Sequence, residues 1–160
     1  MAACESKDPT DSGTGSAARI ELSRATTFQE VGRQATVSAW VRDAAGNRLA
    51  EPVTAAASGS GVTIDSLIFH PETSESRIFI TPSAIDTTGF VVVTAGSLSD
   101  TVYVKALPAG LRITLADSIG SGATLTPTVA GLSATGASLG SVNYQLSSSD
   151  TTKVVVNPDK

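Results

Sequence analysis

The chain has 160 residues, a formal net charge of −4 and only 16% charged side chains. This length accommodates one domain or two small ones, and a segment of about ninety residues buries roughly 60% of its unfolded surface. So low a charge leaves no basic face for a nucleic acid or an anionic membrane, and the single cysteine excludes an internal disulfide.

The first residues, Met1-Ala2-Ala3-Cys4, resemble the lipobox of bacterial lipoproteins. In that family small residues precede a cysteine whose sulfur receives lipid, and here Met1 stands where leucine is usual. The resemblance implies that Cys4 is lipidated and anchors the chain to a membrane. The alternative is an ordinary free thiol. Residues 5–18 contain no large apolar residue, so we predict a flexible tether over residues 1–18.

The clearest strand signal lies in residues 35–42, where small apolar residues alternate with Thr36, Ser38, Trp40 and Arg42. A period of two indicates a half-buried strand, because successive side chains point to opposite faces. The alanine and valine side is therefore predicted to face a core. No segment from residue 5 onward has helical periodicity, and none approaches the roughly twenty apolar residues that span a bilayer.

The remaining pattern predicts an all-β protein built from short strands and polar turns. The predicted strands are residues 19–22, 35–42, 49–57, 62–69, 77–81, 90–95 and 101–104, with turns at 31–32, 43–47, 58–61, 72–76 and 96–100. The last two strands form a hairpin by pattern. Because residues 90 to 93 are all apolar, the pattern leaves open whether Val91, Val93 and Ala95 face inward or outward.

Residues 19–107 resemble the bacterial immunoglobulin-like domains, especially those of intimin-like adhesins, surface lipoproteins and phage tail proteins. The resemblance rests on Val31-Gly32 leading into residues 35–39, on the Asp43-x-x-Gly46 turn, and on the closing runs 89–95 and 100–104. It implies a Greek-key β-sandwich of about seven strands, repeated in tandem, without catalysis.

An internal repeat indicates a second copy over residues 108–160. Residues 19–22, 35–37 and 53–58 match residues 112–115, 123–125 and 142–147, at offsets of 93 (112 − 19), 88 (123 − 35) and 89 (142 − 53). The second copy has no counterpart of the closing hairpin, which leaves an apolar face and an unpaired edge. We therefore expect Lys160 to mark a truncation of the coding sequence.

No catalytic or metal-binding constellation is predicted. The only histidine, His70, precedes Pro71 in a predicted turn, where a solvated loop residue is expected. The aspartates at positions 43, 65, 86, 100, 117 and 150 are spread singly, unlike a calcium loop. No phosphate-binding glycine loop or dinucleotide fingerprint is present, so no cofactor is expected.

Three aromatic residues are candidate partner contacts: Trp40, Phe90 and Tyr103. Trp40 lies on the polar side of its strand, where a large amphipathic ring serves as a partner anchor or a sugar platform. The alternative is that Trp40 packs under a loop or against a neighbouring module. The same two interpretations apply to Phe90 and Tyr103.

The sequence therefore predicts a non-catalytic module, an immunoglobulin-like spacer or adhesion domain of a bacterial lipoprotein. It is expected outside the cytoplasm and lipid-anchored to the envelope, with a protein or glycan ligand, neighbouring immunoglobulin-like domains and no nucleic-acid partner. Membrane contact is expected only through the anchor. Two alternatives are an accessory region of a secreted enzyme, for example a carbohydrate-active one, whose catalytic domain follows residue 160, and a phage tail or decoration protein.

Overall fold

The structure is a computed structural model that describes residues 15–85, 89–116, 120–145, 147–149, 151–153 and 155. Every regular element within these residues is a β-strand, which confirms the predicted all-β class. No helix in this part of the chain is long and apolar enough to cross a membrane. The chain divides into two compact units, unit 1 ending at Pro108 and unit 2 beginning at Ala109.

Unit 1 is a sandwich of two β-sheets. Its strands are β1 (Ala17–Leu22), β2 (Thr26–Glu30), β3 (Ala35–Asp43), β4 (Arg48–Leu49), β5 (Thr54–Ser58), β6 (Val62–His70), β7 (Glu75–Pro82), β8 (Phe90–Ala95) and β9 (Leu98–Leu107). One sheet has the order β1-β3-β7-β6, with β4 also paired to β3, and the other has the order β2-β9-β8-β5. This is the strand arrangement of an immunoglobulin-like sandwich, so the fold prediction is confirmed.

The core lies between the two sheets, as the alternation in residues 35–42 predicts. Val37, Ala39 and Val41 of β3 are fully buried, whereas Thr36 on the same strand is exposed. Every second side chain of a strand points to one face, so one face of β3 fills the core and the other meets solvent. These residues pack in one cluster with side chains of β1, β7, β8 and β9.

The closing hairpin is confirmed. The structure also determines which side of β8 faces the core, a choice that the sequence left open. Val91, Val93 and Ala95 are buried, so they are the inward side of β8. The predicted turn at 96–100 is too long, because β9 already begins at Leu98. Gly96 has a φ of 56°, and a glycine with positive φ at the first position of a two-residue loop suits a type II′ turn.

The single strand predicted over residues 49–57 is wrong. Arg48–Leu49 pairs with β3, but Thr54–Ser58 pairs with β8 in the opposite sheet. Pro52 lies between them and has no N–H to donate to a ladder, which favours a break at this point. Val53 is buried, and its N–H donates to Ser76 Oγ at 3.3 Å, which fixes the crossing between sheets.

Sequence analysis missed β2. This strand, Thr26–Glu30, is mostly polar and pairs in parallel with β9, the only parallel pair among the described strands of unit 1. Thr27 is buried and Phe28 is exposed. The strand has one apolar residue in five, and that residue faces solvent, so its sequence carries no alternating apolar signal.

Unit 2 contains β10 (Gly110–Thr114), β11 (Thr128–Leu132) and β12 (Ser138–Ser141), in the sheet order β10-β11-β12. In unit 1 Ile20 pairs with Val41, and in unit 2 Ile113 pairs with Val129. The first residues of these pairs are 93 positions apart (113 − 20) and the second are 88 apart (129 − 41), the same offsets as in the sequence repeat. The register of β1 on β3 is therefore repeated in the register of β10 on β11.

The turns that follow β3 and β11 are also built alike. In residues 43–47 and 133–137 the N–H of the first residue donates to the carbonyl of the last, at 3.0 and 2.9 Å. The side chain of the first residue, Asp43 or Ser133, accepts the N–H of the last at 2.8 or 3.1 Å. The fourth residue of each turn is a glycine with positive φ, 89° and 79°. Ser133 thus replaces Asp43 without changing the turn.

Candidate contact surface

Two of the three predicted contact residues lie together on the outer face of the β2-β9-β8-β5 sheet. Phe90 and Tyr103 are register partners on β8 and β9, and they alternate with the buried residues Val91 and Val102. Their ring centroids are 6.3 Å apart, with the ring planes inclined by 51°. This tilted arrangement is favourable for aromatic pairs and leaves Tyr103 52% exposed.

A third aromatic residue, Phe28, adds to this face and was not predicted. Phe28 lies on β2 opposite Lys105, two positions from Thr26, which pairs with Tyr103. Residues two apart on a strand share a face, so Phe28 lies on the same side as Tyr103. It is 65% exposed. The only sequence signal was an isolated phenylalanine in a polar segment.

We call this surface, formed by Phe28, Phe90, Val92 and Tyr103, the aromatic face. The charged residues at outward positions of its four strands are Glu30 and Lys105, and the others are apolar, serine or threonine. At its β5 margin the hydroxyls of Thr54 and Thr94 are hydrogen-bonded at 2.6 Å. The aromatic face therefore offers rings and hydroxyl groups with little charge.

Trp40 lies on the opposite sheet, so the three predicted residues do not form one site. The Arg48 guanidinium lies over its ring, 4.7 Å from the ring centroid, a cation–π arrangement. The indole N–H is buried and has no hydrogen-bond acceptor among the residues that the structure describes. Trp40 is thus half-buried beneath a side chain of its own unit.

The outer face around Trp40 differs from the aromatic face because it carries paired charges. Arg42 donates from Nε and Nη2 to the carboxylate of Glu21, and this hydrogen bonding lowers the pKa of Glu21. Glu75 accepts from Arg77 Nη2 at 3.1 Å, which lowers the pKa of Glu75. Charged side chains engage one another here, whereas they are sparse on the aromatic face.

Two of the singly spaced aspartates, Asp43 and Asp65, accept hydrogen bonds from other side chains. The Asn47 side chain donates to Asp43 and holds the pKa of that carboxyl below its ordinary value. Asp65 lies at a register shift between β6 and β7 and accepts hydrogen bonds from Gln34 and Thr81, both at 2.7 Å, which lower its pKa. Across the described ranges no group of three or more His, Cys, Asp or Glu side chains could hold a metal ion.

His70 differs from its predicted placement. It is the last residue of β6 rather than a loop residue, and its ring lies 3.2 Å from Glu72, in the turn that follows. Several predicted features lie outside the described residues, namely the candidate Cys4, most of the predicted tether, Asp86, Asp117, Asp150 and Lys160.

No protein-family model matches the sequence, and no curated protein matches it. Among solved structures, the S-layer protein rSbsC(31–844) is similar over 81% of this chain and 18% of its own, with a TM-score of 0.51 at 16% identity. Domains 5–6 of SbsC give a TM-score of 0.48 at 17% identity, covering 79% of this chain and 67% of theirs. The tandem Ig repeats of Dlar give a TM-score of 0.36 at 17% identity, covering 72% of this chain and 65% of theirs.

These similarities bear on the fold alone, because the identities are low. The match to rSbsC(31–844) is the one of the three whose TM-score exceeds 0.5, and it agrees with the β-sandwich described above. This chain spans 18% of the length of that structure.

Proposed function

We propose that this chain is a non-catalytic cell-surface module, an immunoglobulin-like spacer or adhesion domain of a bacterial lipoprotein. The observation that carries the proposal is the aromatic face, where Phe28 and Tyr103 are more than half exposed beside Phe90. Large amphipathic rings dominate the energetics of protein interfaces, and a cluster of them on a sheet exposes apolar surface that a partner would cover.

The aromatic face supports a neutral partner, either a protein surface or a glycan. The outward positions of its four strands carry one acidic residue, Glu30, and one basic residue, Lys105, which is opposite Phe28, so the face has no net charge that would favour an ionic ligand. Glu30 is also engaged by Arg33, 3.6 Å away. Rings stack on apolar faces, and threonine hydroxyls donate and accept hydrogen bonds, so both partner classes suit this surface.

Two further points support a location on the cell surface. A solved structure that shares the fold at a TM-score of 0.51 is the S-layer protein rSbsC(31–844). The first four residues resemble a lipobox centred on Cys4. An acylated cysteine followed by a polar tether would hold the sandwich away from the membrane.

Detergent partitioning of the protein made from its full gene tests the lipid anchor. The protein is expected in the detergent phase with an intact mass raised by the acyl chains, and a Cys4→Ser variant is expected in the aqueous phase. Partitioning of both proteins into the aqueous phase would refute lipid anchoring.

The aromatic face is tested by binding of the purified chain to arrays of neutral glycans and of extracellular proteins. Phe28→Ala and Tyr103→Ala are each expected to weaken binding about tenfold or more, the effect of losing a central aromatic anchor. Ile68→Ala is the matched control, because Ile68 is an exposed apolar residue of the other sheet. An equal loss in all three variants, or binding that is unchanged in the first two, contradicts the proposed role of this face.

A further inference from the structure

Three arginines lie side by side on the outer face of the sheet that contains Trp40. Arg42 of β3 has a register partner on each side, Arg19 of β1 and Arg48 of β4. Directly opposite residues of antiparallel strands share a face, so the three side chains project from the same side of the sheet. We call them the arginine row. The formal net charge of −4 gives no sign of this row, because its members come from three separate strands.

The arginine row carries more positive charge than its surroundings balance. One carboxylate, that of Glu21, lies within it and accepts hydrogen bonds from Nε and Nη2 of Arg42. This hydrogen bonding is the main cause of the lowered pKa of Glu21, and the charges of all three arginines add to it, so the three guanidiniums lie near one carboxylate. Like charges directly opposite one another destabilise a sheet, and an anion bound at the row would relieve that repulsion.

Arg19 and Arg48 are the two members without a carboxylate partner among the described residues. Arg19 is exposed and makes no hydrogen bond within that part of the chain. Arg48 is also exposed, and its hydrogen bond from Nη1 to the Thr73 carbonyl is long, 3.5 Å. Its guanidinium is stacked on Trp40, which orients a planar fork of N–H groups of the kind that binds carboxylates in pairs.

The two available guanidiniums are well separated. Neighbouring strands lie about 4.8 Å apart, so about 10 Å separates the backbones of Arg19 and Arg48, with Arg42 between them. Their side chains also extend to different places. Nη2 of Arg19 lies 3.6 Å from the position that a Cβ would take at Gly46, whereas Arg48 lies over Trp40. One carboxylate cannot bridge such a pair, so the row suits a polymer with repeated acidic groups.

The surroundings of the arginine row favour an acidic polysaccharide over an acidic protein. A protein interface needs an apolar anchor that becomes buried at its centre. The ring that could serve here, Trp40, is half-buried and already covered by Arg48. The next outward residue of β3 is Ser38, whose hydroxyl suits the hydroxyl groups of a sugar.

We propose that the arginine row is a second binding site, which takes the carboxylates of an acidic polysaccharide such as a chain of hexuronate units. Arg19 and Arg48 each bind one carboxylate, and Trp40 positions Arg48. This site lies on the sheet opposite the aromatic face, so it goes beyond the neutral partner proposed there and does not depend on it.

The test is a titration of the full chain with polygalacturonate, which has one carboxylate on each sugar. Trp40 is the only tryptophan and touches Arg48, so its emission is expected to change on binding. Calorimetry measures the affinity of each variant. Arg19→Gln and Arg48→Gln are each expected to weaken binding at least fivefold, because each removes a charge-assisted contact. Methyl-esterified polygalacturonate, which has the same backbone without charge, is expected not to bind.

Arg24→Gln is the matched control. Arg24 is exposed, has no hydrogen bond or ion pair among the described residues, and lies beyond the other end of β1, so its loss changes the net charge equally. Circular dichroism verifies that all variants are folded. Three results overturn the proposal: unchanged affinity in Arg19→Gln and Arg48→Gln, an equal loss in Arg24→Gln, or equal affinity for the methyl ester. Equally tight binding of poly-glutamate also overturns it, since the row would then not select a polysaccharide. Phe28→Ala and Tyr103→Ala are expected to leave this affinity unchanged, which keeps the outcome separate from that of the aromatic face.

Discussion

The matched isoleucines Ile20 and Ile113 predict effects of very different size for one substitution, Ile→Ala. Ile→Ala removes three carbon positions, and a buried CH₂ group contributes about 0.8 kcal/mol. Ile20 is 8% exposed, so nearly all of this transfer free energy, roughly 2 kcal/mol, is lost. The cavity left beside Val41 raises the expected destabilisation of unit 1 by Ile20→Ala to about 2–4 kcal/mol.

Ile113→Ala is expected to cost about 1 kcal/mol or less in unit 2, because the side chain is 55% exposed and leaves no cavity. Trp40 is the only tryptophan and lies in β3, so its fluorescence reports the unfolding of unit 1. In urea, with a slope of about 1–1.5 kcal/mol/M for a domain of this size, Ile20→Ala is expected to lower the Trp40 midpoint by roughly 1–4 M. Ile113→Ala is expected to leave that midpoint unchanged.

Two outcomes refute this reasoning. A loss below about 1 kcal/mol for Ile20→Ala would show that Ile20 is not part of a close-packed core. Equal shifts of the Trp40 midpoint in both variants would show that the units do not unfold separately. Circular dichroism of each variant at zero denaturant confirms that both chains remain folded before the comparison is made.

Three other expectations follow from single contacts. Gly46→Ala is expected to destabilise unit 1 by about 1–2 kcal/mol in Trp40-monitored urea unfolding, because φ is 89°, while the control Gly120→Ala leaves that transition unchanged. Arg48→Ala should shift Trp40 emission to longer wavelength and cost about 0.5–1 kcal/mol, and an unchanged spectrum would contradict the stacked geometry. Because the pKa of Glu21 is lowered on folding, its stabilisation is complete above its unfolded pKa of about 4.3 and is lost as the pH falls below it. Urea midpoints at pH 7, 5 and 3 should fall less steeply for Glu21→Gln than for the wild type, and parallel profiles would argue against this linkage.

The parts of the fold that local pattern determines were predictable. The alternation in residues 35–42 identified β3 and its buried side, since a half-buried strand needs a period of two. On β8 the same argument could not choose a face, because consecutive apolar residues satisfy either orientation. Only the packing of Val91 and Val93 against the opposite sheet determines it.

The errors come from contacts that are remote in sequence. The partner of β2 is a parallel strand more than seventy residues away, and four of its own five residues are polar, so the local sequence carries little strand signal. Phe28, the most exposed ring of the aromatic face, was missed for the same reason. The passage of the chain from one sheet to the other between β4 and β5 was missed, because the residues on both sides of Pro52 have the same strand-like pattern. Which sheet β5 joins depends on its pairing with β8, which is remote in sequence. Of the candidate residues, Phe90 and Tyr103 could be paired from the hairpin pattern, whereas the cover of Trp40 by Arg48 required the structure.

The parallel pairing of β2 with β9 has a mechanical consequence. Both strands run in the same direction, so tension that draws Thr26 toward the amino terminus and Leu107 toward the carboxyl terminus slides the two strands along each other. The five paired positions then carry the load together, in shear, instead of opening one after another like a zipper. Strands loaded in shear resist extension better than strands that unzip, so the β2–β9 pair is expected to strengthen unit 1 against a pull along the chain.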